Sequence, residues 1–257
     1  MEKDWNPDAY LKFNRERLLP SVDLVSKIDQ EHAKSIIDIG CGPGNSTQVL
    51  NSRWPKAKIT GIDNSPAMIK KAKNDYPDQN WLVLDAHLDN IPGKFDIVFS
   101  NATIQWIPDH YNLFKKFKNL LSENGTLAIQ LPLFFKMTLG QSILNLADNK
   151  PWSVNLGGVN DLFTIHNSST YYDYLAEFFQ KVEIWETSYM HIFNSHQSVF
   201  DMIYSTGLRP YLHALTDNDE RALFEKLVLD DIKTGYPAQS NGNVIFPFMR
   251  LFLMAKN

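Results

Sequence analysis

Residues 36–44 read IIDIGCGPG, and this stretch decides the fold. A short apolar run leads into Gly40, Gly42 and Gly44, and residues 45–54 then follow with helical spacing. Glycine lets the backbone turn sharply and approach a ligand closely, while the start of the next helix presents free N–H groups. A strand, a glycine-rich turn and a helix in this order predict a ligand-binding unit of an α/β protein.

The chain around this unit alternates apolar runs with amphipathic segments. Further strands are predicted at 58–63, 81–85, 95–100 and 126–131, with helices opening at Ser65 and covering 109–121. Ser65 is the predicted N-cap of its helix, and Pro66 is the predicted first helical residue. This alternation favours a mostly parallel sheet with helices on both faces.

The pattern loosens after Leu131. Residues 133–170 have no clear period. The elements predicted after them are a helix from Ser169, a strand at 182–187, helices at 195–206 and 216–234 joined by residues 207–210, and a strand at 244–255. We predict one α/β domain with a helical cap inserted near the C-terminal end. Its predicted parts are N-terminal lid helices at 1–30, a ligand-binding core at 31–132, a substrate cap with late core elements at 133–242, and a final strand at 243–257.

Composition excludes several classes of protein. The 257 residues include 25 Lys and Arg against 29 Asp and Glu, a net charge of −4, and no basic run that would mark a nucleic-acid partner. No window reaches the roughly 18 apolar residues that cross a membrane, and the first residues lack the apolar core of a signal peptide. The single cysteine, Cys41, excludes an internal disulfide framework and a multi-cysteine zinc site. We expect a cytoplasmic protein without a nucleic-acid, membrane or obligate protein partner.

Carboxylates at strand ends indicate the kind of ligand. Asp63 ends the second strand about twenty residues after the glycines, where an acidic side chain can bind both ribose hydroxyls. Asn45 replaces the last glycine of a dinucleotide fingerprint, and no P-loop sequence follows. Asp38 could face a cationic ligand group, while Asp85 and Ala86, which end the third strand, could receive an adenine amino group. A nucleoside that carries an amino acid is therefore predicted.

These features resemble those of the class I S-adenosylmethionine (SAM) methyltransferases, which have a Rossmann-like fold. The resemblance covers residues 36–131 and is carried by residues 37–44, 63–68 (DNSPAM), 85–86 and 96–102 (DIVFSNA). It implies that S-adenosyl-L-methionine is the cofactor. The implied contacts are Asp38, Gly40, Cys41, Gly42 and Gly44 around the methionine part, Asp63 at the ribose, Asn64, Met68, Asp85 and Ala86 around adenine, and Asn101 at the methionine end.

Further motifs are similar to those of the trans-aconitate 2-methyltransferase family. They are residues 4–7 (DWNP), 16–17 (ER), 101–110 (NATIQWIPDH), 171–173 (YYD), 206–210 (TGLRP) and 250–252 (RLF). This resemblance implies methylation of a carboxylate in a small di- or tricarboxylic acid. Two sites depart from the family pattern: Leu19 stands where an arginine usually precedes the proline, and residues 133–135 (LFF) replace a polar Asp-Asn step.

The implied reaction needs no catalytic residue, because the sulfonium methyl is already activated and an ionised carboxylate is already a nucleophile. The protein must hold the two reactants in line and exclude water. Arginine suits the anionic oxygens because its forked guanidinium matches a carboxylate. The predicted substrate-binding residues are Trp5, Tyr10, Arg17, Tyr171, Arg209 and Arg250. The alternatives are packing for the aromatic residues and a surface salt bridge for each arginine.

The N-terminal stretch at residues 5–17 carries a second hypothesis. Tyr10, Phe13 and Arg17 would share one helical face, so this helix could act as a lid that brings Arg17 to the substrate carboxylate. Its alternative is an amphipathic helix that only packs on the core. The histidines predict no metal site, since His191 and His196 are five residues apart and neither HxH nor HExxH occurs.

Other functions remain open at this stage. A carboxyl methyltransferase for a carrier-bound acid such as a malonyl-thioester would have the same core. A DNA or protein-amide methyltransferase would carry [DN]PP[YF] after the fourth strand, and residues 101–104 (NATI) lack both prolines. A non-catalytic SAM-binding protein would keep the cofactor loop without a cationic cap.

Overall fold

Seven strands form one sheet in the computed structural model, which describes residues 12–257. The strands are β1 Ser35–Ile39, β2 Lys58–Asp63, β3 Asn80–Val83, β4 Phe95–Asn101, β5 Leu121–Pro132, β6 Lys181–Phe193 and β7 Val244–Lys256. Their order is β3-β2-β1-β4-β5-β7-β6, and the neighbours from β3 to β5 pair in parallel. The predicted mostly parallel sheet is confirmed.

The order of the strands places a ligand site at one edge of the sheet. The chain passes outward from β1 to β3 and then returns to β4 on the other side of β1. Ligands of open α/β sheets bind outside the carboxyl ends of the strands at such a switch point. Because these strands are parallel, the turns after Ile39, Asp63 and Asn101 all lie at this edge.

Helices connect the strands. They are α1 Asn14–Lys27, α2 Asn45–Arg53, α3 Pro66–Asp75, α4 His110–Leu120, α5 Thr138–Asp148, α6 Ser153–Leu156, α7 Ser168–Phe178, α8 His196–Tyr204, α9 Arg209–Ala214 and α10 Asn218–Gly235, with 3₁₀ turns at Ile104–Trp106, Phe134–Lys136 and Asn160–Leu162. Ser65 accepts the N–H of Met68 at the start of α3, with Pro66 as the first helical residue. This predicted cap is confirmed.

The chain divides into two compact units. Of the described residues, the first contains 12–131, Thr164–Glu186 and Leu251–Asn257, and the second contains Pro132–Phe163 and Thr187–Arg250. In the first unit, β1 is almost wholly buried, as expected for a strand covered on both faces, and α1 packs against α2. In the second unit, α5 packs against α10, and α10 packs against α8. The cap itself remains a prediction.

Several predicted boundaries were wrong. β3 ends at Val83, so Asp85 lies beyond the strand. The backbone N–H of Asp85 donates to the Asp89 carboxylate at 2.8 Å. β5 begins at Leu121 rather than at 126, because Leu121 already pairs with Phe95 of β4. The predicted connection at 207–210 is partly helical.

Helix α5 was missed. Its buried residues Leu139, Ile143 and Ala147 recur every four positions, which is the spacing of one helical face. Gly140 hides this pattern, because glycine is a weak helix former. The glycine is required by packing: a Cβ there would lie 2.0 Å from the carbonyl oxygen of Phe134.

Candidate active site

The glycine turn after β1 is shaped to meet a ligand. Gly40 has φ +70°, and a Cβ there would lie 2.1 Å from Cγ2 of Thr103, so no larger residue fits. Gly42 has φ +55°, and nothing lies within 4 Å of the position of its missing Cβ. Gly40 therefore closes the turn against the protein, whereas Gly42 leaves space on the side where a ligand would lie.

Asp63 is held next to this turn. One of its carboxylate oxygens accepts the N–H of Gly42 at 3.0 Å, and the other accepts the N–H of Ser65 at 2.9 Å. A carboxylate oxygen can accept more than one hydrogen bond. The orientation of Asp63 is thus set by the backbone on both sides, and the carboxylate is suited to the two hydroxyls of a ribose.

Asp38 is a fully buried carboxylate with one oxygen in use. Its Oδ2 accepts the hydroxyls of Ser46 at 2.7 Å and Thr47 at 2.6 Å. Its Oδ1 is buried without a hydrogen-bond partner among residues 12–257. Burial raises the pKa of Asp38 to about 6, and the negative charge of Asp63 adds to this rise. A cationic ligand group would satisfy Oδ1 and lower this pKa, which fits the ammonium group of SAM.

The residues predicted for adenine lie after β2 and β3. Asp85 accepts the N–H groups of His87 at 2.8 Å and Leu88 at 3.0 Å, and the Asn64 amide at 3.3 Å. Partial burial raises the pKa of Asp85, but these hydrogen bonds outweigh that effect and lower it. Asp85 is therefore an ionised acceptor. Met68 and Ala86 are buried near the starts of the segments that follow Asp63 and Asp85.

Cys41 is a buried residue of the glycine turn. Burial raises the pKa of its thiol well above the usual value, and the negative charges of Asp38 and Asp63 add to this effect. The thiol stays protonated, so Cys41 is not a nucleophile. It packs with Ile69 and Trp81.

One cleft in the first unit joins the N-terminal helix to the glycine turn. Its empty space is about 340 Å³, open solvent included. It is lined by Arg17, Leu18, Gly40, Cys41, Gly42, Pro43, Asn45, Ser46 and Asn101. The structure thus brings a predicted substrate-binding arginine together with the predicted cofactor residues.

Arg17 belongs to a helix that is also part of the core. Its side chain is buried, and its guanidinium carbon lies 5.8 Å from the ring centroid of Phe13. Further along α1, Leu24 and Val25 are buried. The packing interpretation therefore suits the part of α1 after Arg17, while Trp5 and Tyr10 lie outside the described residues.

Tyr171 is placed differently from its predicted role. It is fully buried, its hydroxyl donates to Nδ1 of His110 at 3.0 Å, and the same oxygen accepts the N–H of His166 at 3.2 Å. Nε2 of His110 donates to the carbonyl of Ile104 at 2.8 Å, and burial lowers the pKa of His110 to about 4. These contacts favour packing for Tyr171, because its hydroxyl is engaged inside the first unit. We leave it out of the proposed substrate site.

Two predicted arginines lie in the second unit. Arg250 of β7 is buried, with its guanidinium carbon 4.1 Å from the ring centroid of Phe248, a cation–π contact. Burial, together with the charge of Arg250, lowers the pKa of His191 to about 4, so this histidine is neutral. Arg209 is half-buried at the start of α9. Burial lowers the pKa of His213, and the positive charge of Arg209 adds to this effect.

Two buried glutamines were missed by the sequence analysis. Gln105 and Gln130 are at most 4% exposed, and each has side-chain polar atoms without a partner in the part of the chain that the structure describes. The signal for Gln130 was present: it is a lone polar residue in the apolar strand 127–132 (LAIQLP). Gln105 lies within the 101–110 motif that was already singled out.

Two negative findings bear on the site. Within residues 12–257, no cluster of three or more His, Cys, Asp or Glu side chains is arranged to hold a metal ion. None of the helices in this range combines the length and hydropathy that spanning a bilayer requires.

Comparisons with known proteins define the class. Residues 37–129, which include most of β1, all of β2 to β4 and most of β5, match the family model described as a methyltransferase domain. YcgJ protein from Bacillus subtilis superposes with a TM-score of 0.61 at 13% identity, covering 93% of this chain and 98% of that one. The Haemonchus contortus phosphoethanolamine N-methyltransferase 2 in complex with SAM superposes with a TM-score of 0.59 at 16% identity, covering 97% and 56%. The chain is a SAM-dependent methyltransferase with a Rossmann-like fold.

A curated relative narrows the assignment. The trans-aconitate 2-methyltransferase of Escherichia coli O139:H28 is 40% identical over 255 residues, which is 98% of each chain. The chain belongs to the trans-aconitate 2-methyltransferase family.

Proposed function

We propose that this enzyme transfers the methyl group of SAM to a carboxylate of a small di- or tricarboxylic acid, with trans-aconitate as the first candidate. The observation that carries the proposal is the position of Arg17. This cation lines the same cleft as the glycine turn, next to the place where the methionine part of SAM would lie. The full-length relationship to a trans-aconitate 2-methyltransferase supports the same substrate class.

The chain's residues would bind the cofactor through its two polar ends. SAM supplies an activated methyl group when bound. Oδ1 of Asp38 would accept the ammonium group, and Asn101 would contact the methionine end. Asp63 would accept the ribose hydroxyls, since the Gly42 and Ser65 N–H groups already orient its carboxylate. Asn64 and Asp85 would contact adenine.

Arginines would hold the acid. A guanidinium stays charged when buried, so Arg250 remains a cation beside Phe248. The lowered pKa of His191 leaves that neighbour uncharged. We assign Arg17, Arg209 and Arg250 to the carboxylates of the substrate, because bidentate contacts give both orientation and affinity.

No proton has to be moved for the transfer. A carboxylate oxygen is ionised near neutral pH, and alignment with the sulfonium methyl supplies most of the acceleration. The lid hypothesis for residues 5–17 adds that Trp5 and Tyr10 would exclude water when both ligands are present, while Arg17 reaches the substrate carboxylate. A chain lacking residues 1–11 should then keep its SAM affinity and lose most of its transfer rate. Full activity of the truncated chain, measured with labelled SAM, would reject the lid.

A second candidate is a carrier-bound acid. Residues 133–135 are apolar where the family usually has a polar step: Phe134 packs close to Gly207, and the Phe135 ring lies 5.1 Å from that of Phe163. Fewer polar groups in this segment suit an acid with one free carboxylate and an apolar remainder.

A cytoplasmic location, expected from the single cysteine, is part of the proposal.

One experiment separates these candidates. The purified chain is incubated with labelled SAM and a panel of trans-aconitate, other di- and tricarboxylic acids, and malonyl-thioester. Methyl ester formation on trans-aconitate or a similar acid supports the first candidate, and preference for the thioester supports the second. SAM binding without transfer to any acid would overturn both.

A further inference from the structure

A buried amide lies at the carboxyl end of β5, the edge of the sheet where the cofactor turn is found. Gln130 is 0% exposed, and both its Oε1 and its Nε2 lack a hydrogen-bond partner in the described residues. Leaving such groups buried and unpaired destabilises the folded chain. An unpaired buried amide calls for an explanation, and a ligand group is the one that fits its place at the ligand-binding end of the sheet.

The register of the sheet places Gln130 in a row with residues already assigned to the site. Asn101 pairs with Gln130, and Asp38 pairs with Phe99, on neighbouring parallel strands about 4.8 Å apart. Register partners on parallel strands point to the same face, as do residues two apart along a strand. The side chains of Asp38, Asn101 and Gln130 therefore lie on one face of three adjacent strands.

Unpaired atoms continue along this row. Oδ1 of Asp38 and Oδ1 of Asn101, both in the row, are buried without a partner among the described residues, and so is Oε1 of Gln105 in the 3₁₀ turn after β4. Asp38, at the end of the row on β1, is suited to the ammonium group of SAM. Gln130, at the other end on β5, is too far along the sheet to share that role, since β4 lies between them.

The turn after β4 holds these amides in place. Ala102 has φ +54°, a conformation that costs a non-glycine residue energy. Its N–H donates to the carbonyl of Gln130 at 2.9 Å, and its carbonyl accepts the Gln105 amide at 2.8 Å. Strained backbone of this kind concentrates at functional sites. Ala102 thus joins the backbone of Gln130 and the side chain of Gln105 in one turn.

We propose that Nε2 of Gln130 donates a hydrogen bond to the carboxylate that accepts the methyl group, and this inference rests on the proposed function. In the transfer, one oxygen of that carboxylate forms a bond to the methyl carbon. The bond from carbon to sulfur breaks, its electron pair stays on sulfur, and no proton moves. Gln130 binds the other oxygen, while the amide oxygens of Asn101 and Gln105 accept hydrogen bonds from donors on the ligands or bound water.

A neutral donor suits this carboxylate better than an arginine does. The negative charge of the accepting group disappears as the ester forms. A cation at that oxygen would therefore stabilise the reactant more than the transition state and would slow the reaction. Arginines bind the carboxylates that do not react, and the amide positions the one that does.

The test compares Gln130→Met, which keeps the shape and removes both hydrogen-bonding groups, with Gln130→Glu, which removes the donor and adds a negative charge. Thr126→Val is the matched control, because Thr126 is a buried polar residue four positions earlier on the same strand, and its hydroxyl donates to Oε1 of Gln30 at 3.2 Å. The measurements are kcat and KM for the acid, SAM affinity by calorimetry, and the midpoint of thermal unfolding.

Gln130→Met should lower kcat about 10- to 100-fold with little change in KM, because the arginines retain the acid. SAM affinity should stay within about 2-fold, and the unfolding midpoint should rise by about 2–4 °C, because the unpaired buried amide is gone. Gln130→Glu should lose more activity than Gln130→Met. The control should keep the parental kcat.

Two results would overturn the inference while leaving the proposed function intact. The first is an active Gln130→Met variant with parental kcat. The second is a variant whose unfolding midpoint and SAM affinity fall together with activity, which would show a structural role. A parent chain that binds SAM but methylates no acid in the panel overturns the proposed function and this inference together.

Discussion

The first and second units differ in how their polar residues are supported. In the first unit, Asp63 and Asp85 are each oriented by backbone N–H groups close to them in the chain. In the second unit, Arg250 is placed by an aromatic ring on its own strand and by burial. Local backbone contacts produce a site that short motifs reveal. Burial depends on distant parts of the chain, so the second unit is less visible in the sequence.

This difference predicts that SAM binding and acid binding can be weakened separately, by substitutions in the first and the second unit. The largest effect is expected for Asp63→Ala, which removes both acceptors for the ribose and releases the N–H of Gly42. Two charge-assisted hydrogen bonds, on the order of 1.5–3 kcal/mol each, should weaken SAM binding about 100-fold or more. Calorimetric titration with SAM measures this, and Asp75→Ala, which breaks only an exposed pair with Lys71, is the control. Equal SAM affinity in the Asp63 variant would contradict the assignment.

Arg250→Lys should weaken binding of the acid and leave SAM binding intact. Lysine keeps the charge but lacks the fork that binds a carboxylate at two points, so KM for the acid should rise about 10- to 100-fold. SAM affinity should be unchanged, because the predicted cofactor residues belong to the first unit. Steady-state kinetics on the identified acid measures the effect, with Lys226→Ala, an exposed cation of the second unit, as the control. A loss of SAM affinity instead of acid affinity would contradict the assignment of Arg250 to the acid.

Within the first unit, Asp38→Asn should separate binding from stability. The variant keeps an acceptor for Ser46 and Thr47 but loses the negative charge toward the cofactor, and SAM should bind about 10-fold more weakly. The folded pKa of about 6 lies above the usual 3.8. The carboxyl therefore contributes stability below pH 3.8 that is lost as the pH rises through 6, up to about 3 kcal/mol.

The Asn variant should then be more stable than the parent at pH 7, and this advantage should shrink toward pH 4. Urea unfolding at several pH values measures the difference. A variant that is less stable at pH 7 and binds SAM normally would show that Asp38 serves only the fold.

The smallest effect concerns the packing assignment of His110 and Tyr171. His110 has a folded pKa of about 4, below its usual 6.5. It contributes stability above pH 6.5 that is lost as the pH falls toward 4, because the unfolded chain binds the proton more readily. His110→Gln should reduce this acid sensitivity without changing KM for the acid. Thermal unfolding between pH 4 and 7 is the measurement, and the exposed His32→Gln is the control. A changed KM would indicate that His110 and Tyr171 belong to the substrate site.

Residues 37–129 could be interpreted from the sequence because each signal was local. The glycines of the turn, the N-cap Ser65 and the acids at strand ends lie within a few residues of the backbone that they shape. Helix α5 was missed because its buried face packs against α10, about eighty residues further along the chain. The bounds of β5 were wrong because its first residue is held by β4 and not by its own neighbours.

The sequence by itself determined the parallel sheet, the cofactor turn, the cofactor and the family. These follow from backbone geometry and hydrogen-bonding groups that a few consecutive residues specify. Only the tertiary structure decided that Arg17 lines the cofactor cleft, that Tyr171 is an internal hydrogen-bonded residue, and that Gln130 stands unpaired on the same face as Asp38 and Asn101. Burial and strand register join residues that are far apart in the chain, and the spacing of residues along the sequence does not show which distant residues they bring together.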